Sequence, residues 1–180
     1  HLKLDTGMTR IGFFAYDNER TLDELKQAAA LPHLHIEGVF MHFCVADSRA
    51  EEDVSFTKLQ YKRFMDMLSA MEGVGIRPEI RHCCNSGAAI LYPEFALDMV
   101  RPGIITYGNA PSEELEGAIS LRPMMSLHSM IAQVRTVPAG TDISYGRLYR
   151  TTHDTRVAVL PIGYADGLSR LLTGKASFYL

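Results

Sequence analysis

The feature that most limits how this chain can fold is a repeated order of segments: a short apolar run, a polar or glycine-rich loop, then a helical stretch. Leu2–Leu4 leads into Asp5-Thr6-Gly7-Met8-Thr9-Arg10, and Val39–Met41 into His42-Phe43-Cys44. Ile80–His82 ends in Asn85-Ser86-Gly87, and Met99–Arg101 in Pro102-Gly103-Ile104. Repeated strand-then-helix order favours parallel strands, because a helix must carry the chain back before the next strand begins. A closed β/α barrel needs eight such units and about 250 residues; four are half of one. Between the strands, Thr21 is a candidate N-cap for a helix through Ala30, with Leu22, Leu25 and Ala29 on one face and Pro32 beyond. From Ser55 to Met71, Phe56, Leu59, Phe64, Met67, Leu68 and Met71 keep a helical period.

After Glu116 the pattern changes. Met124–Val137 alternates apolar and polar residues, Pro138-Ala139-Gly140-Thr141 reads as a turn, and Val157–Leu160 is a further strand stopped by Pro161 and Gly163. No helical period survives there, so the expectation is α/β plus β. Residues 1–115 form the second half of a (β/α)8 barrel, and residues 116–180 the first part of a β domain. The chain opens inside a strand pattern and stops at Ala176–Leu180, which also reads as a strand. Both ends are therefore expected to be cuts.

Composition narrows the function. A 47% apolar and 22% charged chain is that of an ordinary globular protein. A net charge of −3 without a basic block argues against nucleic acid, and no apolar run is long enough to cross a bilayer. Three cysteines, two of them adjacent, make neither a disulfide framework nor a spaced zinc site. A reduced, cytoplasmic setting without a structural metal fits best. In β/α barrels the chemistry sits at the C-terminal ends of the strands, and phosphate often binds after the last two. Here those loops hold Ser86, Gly87, Gly103 and free backbone N–H groups, which suit a phosphate.

Taken in order, Lys3-Leu4-Asp5-Thr6-Gly7-Met8-Thr9-Arg10-Ile11-Gly12, His42-Phe43 with Ala46-Asp47, His82-Cys83-Cys84-Asn85-Ser86, Val100-Arg101-Pro102-Gly103-Ile104 with Tyr107-Gly108, Ser144-Tyr145-Gly146 and Pro161–Gly167 closely resemble the alanine racemases over nearly the whole chain. The resemblance implies a homodimeric enzyme with a pyridoxal-5'-phosphate barrel and a C-terminal β domain. Such an enzyme interconverts L- and D-alanine by two-base proton transfer on a cofactor aldimine, and so supplies D-alanine for peptidoglycan.

It also implies roles for individual residues. Arg101 donates to the cofactor's ring nitrogen and, as a permanent cation, keeps that nitrogen unprotonated; His82 supports it from the neighbouring strand. Ser86, Gly103 and Ile104 hold the phosphate, with Asn85 and His42 lining the pocket. Arg10 faces the phenolic oxygen and the substrate carboxylate. Lys3 is a carbamylated lysine orienting Arg10, or a plain lysine partly exposed at a strand start. Tyr145 is one of two acid/base groups, working in the partner's site. Asp47, Tyr164 and Arg170 line the substrate entrance, although Gly163, Asp166 and Gly167 equally make a tight loop. The cofactor lysine of the family lies on a first barrel strand that this chain does not contain. None of Lys3, Lys26, Lys58, Lys62 and Lys175 sits in its motif, so these residues alone are expected to be inactive. Thr9, Cys44 and Gly87 stand where Gly, Ala and Ala are frequent. Other readings are a serine or broad-specificity racemase of the same fold, a non-catalytic pyridoxal-phosphate homeostasis protein built on a lone barrel, and a short degenerate chain with only an interaction role.

Overall fold

A computed structural model describes residues 1–179. The chain divides into two compact units, His1–Met125 and Ser126–Leu180. The division falls beyond the 115/116 boundary expected from the sequence. Leu115 is itself buried, Ser112 Oγ donates to Asp47 O at 2.7 Å, and Glu114 Oε2 accepts from the Arg49 amide at 2.7 Å. These contacts keep residues 112–115 in the first unit.

The first unit is built on β1 (Leu2–Asp5), β2 (Phe13–Phe14), α1 (Asn18–Ala29), β3 (Gly38–Phe40), α2 (Glu51–Gly73), β4 (Ile80–His82) and α3 (Ser86–Leu91). The four strands form one sheet in the order β2-β1-β3-β4, every neighbouring pair parallel. Lys3 pairs with Phe40 and Phe40 with His82, so these three side chains share a row on one face. Leu4, Val39 and Met41 are fully buried with Leu25 of α1 and Phe64, Met67 and Met71 of α2. Each such side chain contributes about 1.5–3 kcal/mol on leaving water. Tyr61, Tyr92 and Phe43 stack around Phe95, the closest ring centroids 3.9 Å apart. This is the second half of a β/α barrel followed by the beginning of a β domain.

Four local expectations are corrected. Thr21 does not cap α1: Asp17 does, its side chain accepting from the Arg20 amide, while Thr21 is buried one turn in and donates to Phe14 O. Ala29 is exposed. On α2 the buried stripe is Thr57, Gln60, Phe64, Met67 and Met71, and Leu59 faces solvent. Met99–Arg101 is not a ladder strand. The segment runs beside β4, and among the described residues its backbone bonds there are the Asp98 amide on Arg81 O (3.0 Å) and the Arg101 amide on Cys84 O (2.9 Å).

The second unit contains β5 (Gln133–Val137), β6 (Asp142–Ile143), β7 (Tyr149–Arg150) and β8 (Thr155–Val159), paired antiparallel as β5 with β8 and β6 with β7. Only the last part of the alternating 124–137 stretch pairs; Met124, Met125, Leu127 and Met130 are exposed without a partner strand. Ala176–Tyr179, expected as a strand, carries no ladder, and Leu180 lies outside the described residues. Thr151 is the one buried side chain of this unit among the described residues, its hydroxyl donating to Pro138 O and accepting from the Thr141 amide.

Candidate active site

Parallel strands send their C-terminal ends to one edge of the sheet, and the loops leaving β1, β3 and β4 meet there. A cavity of about 310 Å³ opens between the loops after β3 and β4 and the 101–111 segment, lined by His42, Asp47, Asn85, Ser86, Gly87, Arg101, Gly103, Ile104 and Pro111. Eight of these are residues singled out in the sequence, all but Pro111, drawn from three separate stretches.

Arg101 organises one wall. Its Nη1 donates to His82 Nδ1 at 2.6 Å, and its Nη2 to Met41 O at 2.8 Å, with His42 Nδ1 and Cys83 O each at 3.3 Å. A guanidinium has donors only, so both imidazoles must present a lone pair to it. The electrostatics agree. Burial and then the Arg101 charge push His82 down to about 4. Burial, Arg101, Arg10 and Lys3 lower His42 in that order. Both rings are thus neutral acceptors at neutral pH. His82 is also stacked flat on Phe40, centroids 5.1 Å apart.

The opposite lining is made by α3 and the 101–104 turn. Asn85 caps α3, its Oδ1 accepting from the Ala88 amide at 3.0 Å while its Nδ2 reaches Phe43 O. Ser86 is buried, and its Oγ accepts the Gly103 amide at 2.8 Å. The Gly103 amide expected to be free for phosphate is therefore engaged, whereas the Ser86 hydroxyl proton remains available. Gly87 clears space: a Cβ there would lie 2.8 Å from Asp47 Cβ.

Lys3 is buried, not partly exposed, and its Nζ donates to Ile11 O at 2.8 Å. Burial lowers its pKa first, Asp5 opposes this, and the charges of Arg10 and Arg101 add to it. Arg10 is exposed and has no hydrogen-bond partner among the described residues. Its loop is shaped by Asp5, which accepts the Gly7 and Thr9 amides, leaving Thr9 at a φ of +53°.

In the second unit, Tyr145 is almost fully exposed on a tight turn in which Ser144, Gly146 and Arg147 all have positive φ. Tyr164 and Arg170 line one cleft there with Ser144. The Gly163–Gly167 stretch is indeed a tight turn, the Gly163 amide bound to Asp166 Oδ2 at 2.9 Å.

Sequence reading missed Gln60. It is fully buried on α2; its Oε1 accepts the Cys44 amide at 3.0 Å, and its Nε2 donates to His42 O (3.3 Å) and Thr6 Oγ1 (3.4 Å). It ties the loop after β1 to the loop after β3. A glutamine inside an apolar helical stripe was the available signal. Arg63 reinforces the tie, donating to Thr6 O while lying over the Tyr16 ring. Cys83 is inert: its neighbour Cys84 and burial push its thiol up, and it donates to Phe95 O.

Comparison with known proteins gives this geometry its relatives. The alanine racemase N-terminal domain model matches residues 1–111, and the C-terminal domain model residues 124–180. The alanine racemase of Desulforamulus reducens is 49% identical over 97% of this chain, which spans 46% of that protein. The alanine racemase of a D-cycloserine-producing Streptomyces lavendulae is 40% identical, with a TM-score of 0.84 over 97% of this chain and 45% of its own. That of Bacillus anthracis, solved with bound L-Ala-P, is 36% identical with a TM-score of 0.81 over 97% of this chain and 45% of its own. The chain thus spans about half the length of the relatives it matches. The C-terminal match separates it from lone-barrel proteins, and with both models fitting in order, the chain belongs to the alanine racemase family.

Proposed function

We propose that the natural protein racemises alanine with pyridoxal 5'-phosphate, and that residues 1–111 supply half of the cofactor site. The observation that carries this is Arg101: a partly buried cation, fixed by two neutral imidazoles, lines a cavity whose other wall offers the Ser86 hydroxyl. The cavity has the size of a small-cofactor pocket. Its lining fits a flat ring carrying a phosphate, with the Ser86 hydroxyl and the Ile104 amide for the anion, the Gly103 amide being held by Ser86, His42 and Asn85 beside the ring, and Arg101 for its nitrogen.

When bound, pyridoxal phosphate supplies an electron-withdrawing ring that acidifies the proton on the amino acid's Cα. The chain's own residues do the rest. Arg101 cannot accept a proton, so it holds the ring nitrogen in its unprotonated form and moderates electron withdrawal. Arg10 offers a cation for the substrate carboxylate. Lys3, lowered by burial and neighbouring cations, has a larger neutral fraction, which suits addition of its Nζ to carbon dioxide with loss of one proton. The resulting carbamate would orient Arg10. Tyr145 Oη takes or returns the Cα proton on one face, in the partner subunit's site of a homodimer, and Asp47, Tyr164 and Arg170 line the entrance. The product serves peptidoglycan in the cytoplasm, a setting consistent with three free cysteines.

Borohydride reduction of the natural protein followed by peptide mapping tests this reading. Cofactor fixed on a lysine outside these 180 residues is the expected result. Cofactor on Lys3, or none, would refute it. The isolated 180-residue chain is expected to show no racemisation and to retain no covalent cofactor.

A further inference from the structure

Beyond His82 the hydrogen bonds continue outward. His82 Nε2 lies 2.8 Å from His1 Nδ1, and His1 Nε2 lies 3.4 Å from Glu37 Oε2. Because Arg101 can only donate, His82 Nδ1 must accept, and a neutral His82 then carries its proton on Nε2. That N–H points at His1 Nδ1, which must accept in turn. His1 is then left with its own proton on Nε2, facing the Glu37 carboxylate. Donors therefore run one way along the chain Arg101, His82, His1, Glu37.

A second observation is independent of these bonds. Gly38 pairs with Ile80 at the start of β3, and a Cβ on it would sit 2.5 Å from the His1 ring. Its φ is not in the positive region, so the backbone does not require glycine here. The His1 ring does, because it occupies the space that a side chain would fill.

We propose that His1 is a positioning residue for Arg101, seated over Gly38 and holding His82 in the one tautomer whose Nδ1 can accept from the guanidinium. Glu37 polarises the outer end; being largely exposed, it is the weaker link. Without the acceptor on His1, the buried His82 Nε2–H loses its partner. The ring is then free to place its proton on Nδ1, where it would meet the donors of Arg101. The meaning of this relay for the cofactor rests on the proposed function, but the relay itself does not.

The experiment uses the natural protein with ¹⁵N-labelled histidine and long-range ¹H–¹⁵N correlation, which reports the tautomer of each ring. His82 is expected to be neutral with its proton on Nε2 alone. That pattern should be lost in His1→Phe, which keeps a ring but no acceptor, and in Gly38→Ala, which displaces the ring. It should survive in His1→Asn, whose amide oxygen can accept. In the same series, pyridoxal-phosphate dissociation followed by absorbance is expected to weaken roughly tenfold in His1→Phe, the scale of one hydrogen bond to a charged group. A wild-type His82 with its proton on Nδ1 overturns the proposal, and this reading needs no variant to fold. So does a tautomer unchanged in both His1→Phe and Gly38→Ala. A wild-type protein that binds no pyridoxal phosphate yet shows the Nε2–H pattern supports the relay and refutes the functional reading instead.

Discussion

Replacing Gln60 by leucine removes the tie between the loops after β1 and β3 while keeping a side chain of similar volume on the same helix. The amide of Cys44 and the carbonyl of His42 lose their partner on Gln60, whereas the Thr6 hydroxyl loses only a donor at 3.4 Å. Two stranded backbone groups cost about 1.5 kcal/mol each. Leucine returns about 1 kcal/mol through apolar burial at a site that is fully covered. The net loss is about 2 kcal/mol. Thermal and urea unfolding of the natural protein measure it, with exposed Lys58→Ala on the same helix as the control, expected within about 0.5 kcal/mol of wild type. Gln60→Glu is expected to be worse at neutral pH. It keeps an acceptor for Cys44 but turns a carboxylate toward the His42 carbonyl, and burial raises that carboxyl's pKa, so stability should recover as pH falls. If Gln60→Leu unfolds within about 0.5 kcal/mol of wild type, the loop-tie argument is wrong.

Thr9 is a β-branched residue at a φ of +53°, so Thr9→Gly should stabilise by about 1 kcal/mol through relief of strain; a loss on urea unfolding would contradict it. Gly87→Ala places a methyl 2.8 Å from Asp47 Cβ and 3.0 Å from Ala46 O. It should cost about 1–3 kcal/mol and shift the Asp47 loop, which a melt and a crystal structure of the variant would show. His82 titrates at about 4 in the fold against an unfolded value of about 6.5. Between those values the unfolded chain binds the extra proton, so its contribution is complete above about pH 6.5 and lost as pH falls through about 4, in all about 3 kcal/mol. His82→Gln should flatten the stability curve in that window; an unchanged acid limb would refute the assignment.

Much of the site was legible because it depends on strand order and loop chemistry. Once His42, Asn85-Ser86 and Arg101 are placed after successive parallel strands, they must converge on one edge. The fourth strand was misread because Met99–Arg101 has the apolar composition of a strand, yet its pairing is set by Asp98 and Arg101 against β4 and not by a continuous ladder. Thr21 was misread as a cap because capping propensity is local, whereas its hydroxyl is claimed by Phe14 O in the preceding strand. The engagement of the Gly103 amide by Ser86 has no sequence signal, since it depends on how two distant loops meet. Likewise Gln60 reads as a polar interruption until the loops it bridges are known.

Among the described residues the second unit buries one side chain, Thr151, and that one is polar. Two separate two-stranded ladders without an apolar interior have little to oppose local opening. The amides of β5 and β8 should therefore exchange with solvent far sooner than those of β1, β3 and β4, which sit on a continuous core. Folding acquires an order from this difference. The parallel sheet can set early, and the turn carrying Tyr145 takes a lasting position only when further surface covers these ladders.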